Sequence, residues 1–165
     1  MSQLDKSPLE FRHLVPGLQP QLEEFFLELH CNHDDRFFHP HPFTPQAAGE
    51  ICQYDGKDLF YAALLGNQIV GYGILRGWDE GFETPSLGIA IHPKARGFSL
   101  GIALMHFLHA AARQRGAHRV RLTVYKENNV ALNLFSKLGY KYEECSPEKL
   151  VGFLDLGPSK AKRVD

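Results

Sequence analysis

"ARGFSLGIALM", residues 95–105, is the stretch that decides how this chain is expected to fold. An arginine, two glycines and a serine precede a run of apolar residues, and the apolar segment "SLGIAI" at 86–91 comes shortly before. The pattern predicts a strand, a glycine-containing turn and a helix in succession. The first N–H groups of a helix have no partners within it and lie at the positive end of its dipole. This turn is therefore a candidate anion site.

The turn by itself leaves two interpretations open. Its glycines would let a bulky anion approach the backbone, and the guanidinium of Arg96 adds a charged donor, which favours phosphate. An ordinary glycine turn accounts for the same residues. The stretch is not a Walker loop, because no Gly-Lys-Ser/Thr follows, and it is not a G-x-G-x-x-G fingerprint.

Apolar spacing outward from this turn predicts the remaining elements. The predicted strands cover 10–15, 58–65, 68–77, 86–93, 118–125, 140–144 and 149–156, and the predicted helices cover 16–31, 44–54, 100–115 and 128–139. Consecutive strands predict antiparallel pairing, and the strand–helix–strand unit across 86–125 predicts one parallel pair with a right-handed crossover. The expected fold class is mixed α/β, a mostly antiparallel sheet with helices on both faces.

The composition fits one domain over residues 1–165, with a frayed tail from about 157. The chain is 44% hydrophobic, which is enough for one sizeable core. The net charge of −1 gives no overall attraction to nucleic acid or membrane, and no apolar run is long enough to span a bilayer. Three cysteines without a C-x-x-C pair, and an N-terminus without an apolar leader, predict a reducing, cytoplasmic location.

A second stretch, "LTVYKENNVALNLFSKLGY" at 122–140, adds a more specific pattern. Together with "IHPKARGFSLGIALM" at 91–105, it resembles the Gcn5-related N-acetyltransferase (GNAT) superfamily over roughly 86–145. That family shows an R/Q-x-x-G-x-G/A turn, which is Arg96 to Gly101 here. It then shows V-x-x-x-N-x-x-A-x-x-L-Y-x-K-x-G-F, matched by Val124, Asn128, Ala131, Leu134, Phe135, Lys137, Gly139 and Tyr140.

The resemblance implies a GNAT fold, in which the parallel strands splay apart, and acetyl-CoA as acetyl donor. It implies that amides of the turn bind the pyrophosphate and that backbone groups of the strand at 87–91 bond the pantetheine arm. The implied cofactor-binding residues are Ile89, Ala90, Ile91, Arg96, Gly97, Phe98, Ser99, Leu100, Gly101, Ile102, Asn128 and Phe135. A small-molecule amine is the other expected partner, no metal is expected, and a homodimer is left open.

Direct attack of an amine on a thioester needs a base for the ammonium, a dipole for the oxyanion and an acid for the leaving thiolate. Phe135 stands where the family often has an acidic tyrosine, and no carboxylate lies within 86–91, where a base sometimes lies. Glu83, acting through water, is the predicted base, and Tyr125 is the predicted acid. A solvated loop carboxylate and an aromatic cap on the sheet are the alternatives. Ser99 replaces the usual middle glycine of the turn. It keeps the backbone N–H, but a left-handed conformation is less favourable for serine than for glycine.

Residues 32–43, "NHDDRFFHPHPF", form a predicted loop at the place where the family builds acceptor pockets. Its aromatic and imidazole groups could hold a small polar amine such as an amino sugar, with His39 and His41 as substrate-binding residues. In the alternative, the phenylalanines of the loop fill the core and both histidines are solvated. A metal site made from the loop histidines is disfavoured, because the prolines fix the loop for turning.

Histidines outside this loop receive other assignments. His106 and His109 lie beside the apolar stripe of the predicted helix at 100–115 and are expected at the surface. His92, before Pro93, is expected to be structural, and Tyr140 is expected in the core.

Three functions follow from these residues. The first is transfer of an acetyl group from acetyl-CoA to a primary amine of a small molecule, with an amino sugar slightly favoured. The second is acetylation of a protein amine. The third is a catalytically silent acyl-CoA-binding domain, which Phe135 and the acid-free strand at 86–91 favour.

Overall fold

The computed structural model describes residues 6–38 and 40–158, and within that part of the chain seven strands form one sheet. The strands are β1 (Leu9–His13), β2 (Leu59–Leu65), β3 (Gln68–Arg76), β4 (Ser86–Ile91), β5 (Arg119–Tyr125), β6 (Lys141–Glu144) and β7 (Lys149–Asp155). The α-helices are α1 (Gln19–Cys31), α2 (Pro45–Cys52), α3 (Leu100–Gln114) and α4 (Asn129–Lys137). The predicted elements are confirmed, with ends that differ by a few residues. Most of the predicted frayed tail lies outside the described residues.

Helix α1 shows why the ends differ. Its first predicted turn, Pro16–Leu18, is a 3₁₀ helix, and regular α-helix begins at Gln19. Pro20 has no N–H to donate, and a proline fits the first turn of an α-helix because those donors have no intrahelical partner. Beyond it, the predicted apolar face is fully buried; its members are Leu22, Phe25, Phe26 and Leu29. Each such side chain contributes about 1.5–3 kcal/mol relative to an exposed one.

The sheet has helices on both faces, as predicted. Its strand order is β1-β2-β3-β4-β5-β7-β6, and every neighbouring pair is antiparallel except β4 with β5. Helices α1 and α2 pack on one face against Tyr72 and Ile74. Leu104 and Leu108 of α3 pack on the other face against Leu75 and Leu122. The fold is thus mixed α/β with one parallel pair among the described strands.

The parallel pair is splayed. Within the described residues, β4 pairs with β5 only at Ser86, opposite Arg121, where the Arg121 N–H donates to the carbonyl of Pro85 at 3.0 Å. The other edge of β4 is paired with β3 along its whole length, and β5 is paired along its whole length with β7. The edge of β4 over 87–91 therefore faces a wedge-shaped opening, which we call the cleft.

The expectation for His109 was wrong. Only 4% of His109 is exposed, and its Nε2 lies 2.7 Å from the hydroxyl of Tyr140, which is buried as predicted. Burial lowers the pKa of His109 to about 4 and raises the pKa of Tyr140, so both groups are neutral at pH 7. The buried face of α3 is wider than its apolar stripe, because the tyrosine supplies a partner for the imidazole.

Candidate active site

The turn that joins β4 to α3 presents a run of amides without partners. Gly97 has φ 83° and Ser99 has φ 60°, so the backbone is left-handed at both residues. Among the described residues, no backbone carbonyl accepts a hydrogen bond from the amides of 97–102, and the first helical bond runs from Ala103 to the Ser99 carbonyl. Several free amides at a helix N-terminus form a concave anion site. The predicted anion site therefore has its donors.

Ser99 adopts the left-handed conformation that its side chain disfavours. It is the N-cap residue of α3, with φ 60° and ψ 15°, and its side chain makes no capping hydrogen bond. A non-glycine residue in this region costs about 1–3 kcal/mol. The turn is therefore left-handed at Ser99 despite the cost of placing a side chain in this conformation.

Arg96 bonds two other segments of the chain, which the sequence did not reveal. Its Nη2 donates to Asp34 Oδ1 at 3.1 Å and to the Ile91 carbonyl at 3.1 Å. These bonds join the segment after α1 to the end of β4. The guanidinium has five N–H donors in total. Those that do not take part in these two bonds donate to no described residue. A contact of Arg96 with phosphate stays a prediction.

The other residues predicted to contact the cofactor lie on β4 and on α4 and its N-cap. Ile89, Ala90 and Ile91 lie on the unpaired edge of β4 and are only half-buried, although their strand is in the middle of the sheet. Asn128 caps α4, because its Oδ1 accepts from the Ala131 N–H at 3.2 Å. Phe135 is 7% exposed, and its ring centroid lies 5.7 Å from that of Tyr140.

The described residues of the predicted acceptor loop, 32–38 and 40–43, lie over the cleft. A Cβ placed on Gly88 of β4 would lie 3.5 Å from Pro40 and 3.6 Å from Phe38. The ring of Phe37 lies 5.5 Å from that of Tyr125, at the end of β5. The loop thus reaches from β4 to β5 and forms a roof over one face of the cleft.

His41 fastens this roof to the sheet. Its Nδ1 donates to the Pro42 carbonyl at 2.8 Å, and its Nε2 accepts from the fully buried Tyr72 hydroxyl at 2.9 Å. The rings of Phe26 and Phe43 lie within 6 Å of the imidazole. Burial is the main reason why the pKa of His41 is lowered, so the imidazole is neutral. The alternative of a solvated His41 was wrong; its contact with an acceptor stays a prediction.

The rest of the loop divides between the earlier interpretations. Phe43 is buried and Phe38 packs against the same core, as the core-filling alternative expected, whereas Phe37 lies at the end of β5. His39 lies outside the described residues. Within the described ranges, no group of three potential metal ligands is close enough to hold an ion.

His92 has the predicted structural role, with a partner that the sequence did not indicate. It is 2% exposed, and its Nδ1 accepts from the Lys94 N–H at 3.2 Å. A neutral imidazole that accepts at Nδ1 must carry its proton on Nε2, and Nε2 is bonded to Glu28 of α1. This pair anchors α1 beside the turn of free amides.

Tyr125, the predicted acid, lies where β5, β7 and the roof meet. Its ring contacts that of Phe37, and the ammonium of Lys149, the opposing residue on β7, lies 4.8 Å from the ring centroid. These contacts fit both an acid at the cleft and an aromatic cap on the sheet. The acid role stays a prediction.

Glu83, the predicted base, lies before β4 and lines a cavity of about 540 Å³. The cavity opens at the narrow end of the cleft, where β4 and β5 are still paired. Its walls are Arg76, Gly77, Glu80, Gly81, Phe82, Glu83, Thr84, Ser86, Arg121 and Phe153. Sequence reasoning missed both arginines, since Arg76 ends an apolar strand and the alternation of Arg121 with apolar neighbours indicated only a strand. The base role of Glu83 stays a prediction.

Comparison with known proteins assigns the chain to a family. The model of a family described as the acetyltransferase (GNAT) family matches residues 26–140. An acetyltransferase of Pectobacterium atrosepticum is 30% identical over 88 residues, which are 53% of this chain and 61% of that protein. The match therefore spans less than two thirds of that relative's length.

Solved structures share the fold. The GNAT domain of S. lividans PAT has a TM-score of 0.78 at 18% identity, over 92% of this chain and 93% of that one. The PaiA N-acetyltransferase of Thermoplasma acidophilum, solved in complex with coenzyme A, has a TM-score of 0.74 at 18% identity, over 90% and 99%. The ribosomal-protein-S5-alanine acetyltransferase of Vibrio fischeri has a TM-score of 0.75 at 12% identity, over 93% and 96%.

Proposed function

Since the chain belongs to the acetyltransferase (GNAT) family, we propose that it transfers an acetyl group from acetyl-CoA directly to a primary amine of a small molecule. One observation carries this proposal. A strand that leaves its parallel neighbour ends at a turn whose amides over 97–102 have no backbone acceptors among the described residues. The open strand edge suits the hydrogen-bonding arm of an acetyl-CoA donor, and the free amides suit its pyrophosphate.

The donor fits the cleft as follows. The pyrophosphate accepts hydrogen bonds from the amides of 97–102, and the pantetheine arm bonds the backbone of Ile89 to Ile91. The fold is shared with a protein solved in complex with coenzyme A, which supports this placement. Acetyl-CoA supplies the acetyl group as a thioester. An unpaired amide of β4 would donate to the oxygen of its carbonyl as negative charge develops there.

Two protons must move. Attack by the amine nitrogen forms the C–N bond and breaks the C–S bond, so the nitrogen loses a proton and the thiolate gains one. We assign the acceptor of the first proton to Glu83, through water, and the donor of the second to Tyr125 at the end of β5. A thiol has an ordinary pKa of about 8.5, so the demand for an acid is weaker than it would be for an alkoxide.

A small acceptor is supported by the roof. Phe38 and Pro40 lie over Gly88, which leaves limited height above the middle of β4 for a polypeptide. An amino sugar is one acceptor that suits the polar and aromatic groups of the loop. Similarity to a ribosomal-protein-S5-alanine acetyltransferase, at 12% identity, extends to the fold alone.

A catalytically silent acyl-CoA-binding domain is the second candidate function. It is favoured by Phe135, which is buried and lacks the hydroxyl that the family often has at this position. Both candidates need the free amides, so binding of CoA does not separate them.

Release of free thiol from acetyl-CoA with a panel of primary amines tests the proposal. Small amines should accelerate thiol release over the rate without acceptor, and peptides with a free N-terminal amine should not. CoA affinity is measured in parallel by calorimetric titration. Binding without turnover of any amine would favour the silent domain, turnover of peptides alone would favour protein acetylation, and absence of binding would overturn the proposal.

A further inference from the structure

Four residues of the cavity at the narrow end of the cleft form one row across the sheet. Arg76 on β3 opposes Ser86 on β4, Ser86 opposes Arg121 on β5, and Arg121 opposes Phe153 on β7. Residues that oppose one another across strands point to the same face of a sheet, and neighbouring strands are about 4.8 Å apart. The two arginines therefore lie about 10 Å apart at their Cα atoms, one on each side of a serine.

The arginines and glutamates of this cavity form no ion pairs with one another in the part of the chain that the structure describes. Glu80 and Glu83 also line it, yet among the described residues no ion pair within 4 Å joins either glutamate to Arg76 or Arg121. The Arg121 side chain has no hydrogen-bond partner in the described part of the chain, and Arg76 donates from Nη1 to the Pro40 carbonyl at 3.0 Å.

Another arginine on the same strand shows the contrast. Arg119 precedes Arg121 by two residues and so points to the same face. Its Nε donates to Asp155 at 2.8 Å, and its guanidinium lies 5.0 Å from the Phe153 ring centroid. A local carboxylate thus satisfies the arginine outside the cavity, while the two arginines inside it face solvent without one.

We propose, on the basis of the acetyltransferase function above, that this cavity selects acceptors that carry an anionic group, a carboxylate or a phosphate, in addition to the amine. The anion lies over Ser86, between the guanidinium groups of Arg76 and Arg121, and accepts charge-assisted hydrogen bonds from both. Within the described ranges, Glu80 and Glu83 form no ion pair with either guanidinium, so both arginines remain available to the anion.

The strand also sets the length of the acceptor. From Ser86, the edge of β4 reaches Ile89 after three residues, or about 10 Å. The backbone assigned to the pantetheine arm begins there. An anion over Ser86 must therefore be several bonds from the reacting amine, as in an ω-amino acid or an amino-sugar phosphate. An α-amino acid is too short.

Matched pairs of acceptors test this inference. 5-Aminopentanoate is compared with pentylamine, and glucosamine 6-phosphate with glucosamine, so the two arms separate carboxylate from phosphate. The readouts are kcat/KM from thiol release and calorimetric affinity of each amine in the presence of saturating CoA. The anionic member of at least one pair should exceed its neutral partner by about tenfold or more in both readouts.

Arginine variants assign the preference to the cavity. Arg121→Gln should reduce the preference for the anionic amine, measured as the ratio of kcat/KM between the charged and neutral members of a pair, about tenfold or more. Arg119→Gln is the matched control, with the same charge change on the same strand, and should keep the full preference. Melting temperatures confirm that both variants fold.

Two results overturn the inference: equal use or binding of the charged and neutral members of both pairs, and equal behaviour of Arg121→Gln and Arg119→Gln. If CoA binds but no amine is acetylated, affinity still decides, because absence of preferential binding also overturns the inference. Failure of the acetyltransferase function itself is recognised separately, as loss of CoA binding or of all turnover in the unmodified protein.

Discussion

The turn at 97–102 and the roof loop at 32–43 differ in whether their polar groups have hydrogen-bond partners within the protein. The turn leaves its amides without backbone acceptors among the described residues, and it does so at the cost of a left-handed serine. The loop satisfies His41 within the protein, between the Tyr72 hydroxyl and the Pro42 carbonyl. Both segments have an unusual composition: glycine and serine in the turn, and histidine, proline and phenylalanine in the loop. The comparison teaches that donors left open mark a ligand site, whereas satisfied polar groups mark a structural one.

The largest expected effect concerns the turn. Gly101→Glu should weaken CoA binding about 1000-fold or more, because it places a carboxylate among the amides that receive the pyrophosphate. The fold should survive, since Gly101 is helical and an added Cβ would meet only Leu134 Cδ2, at 3.4 Å. Calorimetric titration measures the loss. Ala110→Glu, which adds the same charge on the exposed face of α3, is the control, and unchanged affinity in folded Gly101→Glu would remove the phosphate assignment.

The second prediction concerns the place where the roof meets the cleft. Tyr125→Phe should lower kcat about 100-fold, within the usual range for a positioned general acid. The Phe37 contact should be retained, because the substitution removes only the hydroxyl. Steady-state kinetics measure the loss. A kcat equal to that of the unmodified protein would show that the thiolate leaves unassisted and that Tyr125 only caps the sheet.

The third prediction concerns the pH dependence of stability that arises from His109, which is hydrogen-bonded to Tyr140 in the core. Its pKa falls from 6.5 to about 4 on folding, so the unfolded chain binds the extra proton between these values. Stability from the neutral imidazole is therefore full above pH 6.5 and is lost as the pH falls toward 4, by up to about 3 kcal/mol.

Denaturant unfolding from pH 4.5 to 7 measures this dependence. His109→Gln should flatten it in part, because the amide can still bond Tyr140 but does not titrate, whereas His118→Gln, at an exposed position, should leave the slope as it is. Equal slopes for the unmodified protein and His109→Gln would contradict the assignment.

The fourth prediction concerns the roof. His41→Ala should lower the free energy of unfolding by about 1–3 kcal/mol, because it leaves the fully buried Tyr72 hydroxyl without a partner. Chemical denaturation measures the change, with His118→Ala, at an exposed position, as reference. Full stability together with a raised amine KM would instead make His41 an acceptor ligand and would break the comparison.

The smallest effect is expected at Phe135. Phe135→Tyr should change kcat by less than about tenfold, well under the range for a general acid, because Tyr125 already supplies the proton. The melting temperature is followed as well, since the residue is buried beside Tyr140. A large gain in kcat would show that the natural protein lacks its acid and is close to silent.

Periodicity was enough to predict the elements of this fold, and one register-dependent feature shows where it stopped. The apolar face of α1 and the alternation in β5 identify those elements without any partner. The row of Arg76, Ser86 and Arg121 depends on which residues oppose one another across three strands, and a hydrophobic pattern does not specify that.

Polar partners were equally hidden. His109 bonds Tyr140 from 31 residues away, His92 bonds Glu28 from 64, and Arg96 bonds Asp34 from 62. A histidine whose hydrogen-bond partner is distant in the sequence is predicted at the surface, which is why the expectation for His109 was wrong. The motif turn was predictable because its donors and its glycines lie within one short segment.

The single rung between β4 and β5 also divides the chain for folding. Strands β1 to β4 and strands β5 to β7 each pair among themselves, and each group comes from one continuous stretch of sequence, 9–91 and 119–155. Most ladders therefore form between segments close along the chain, which favours rapid folding. Across the described residues, the connections between the two groups include the Ser86–Arg121 rung, the roof, which contacts β4 and β5, and α3, whose leucines pack on both. The opening assigned to the donor is thus a seam between two groups of strands, and a ligand bound in it would contact both groups and slow hydrogen exchange on both sides.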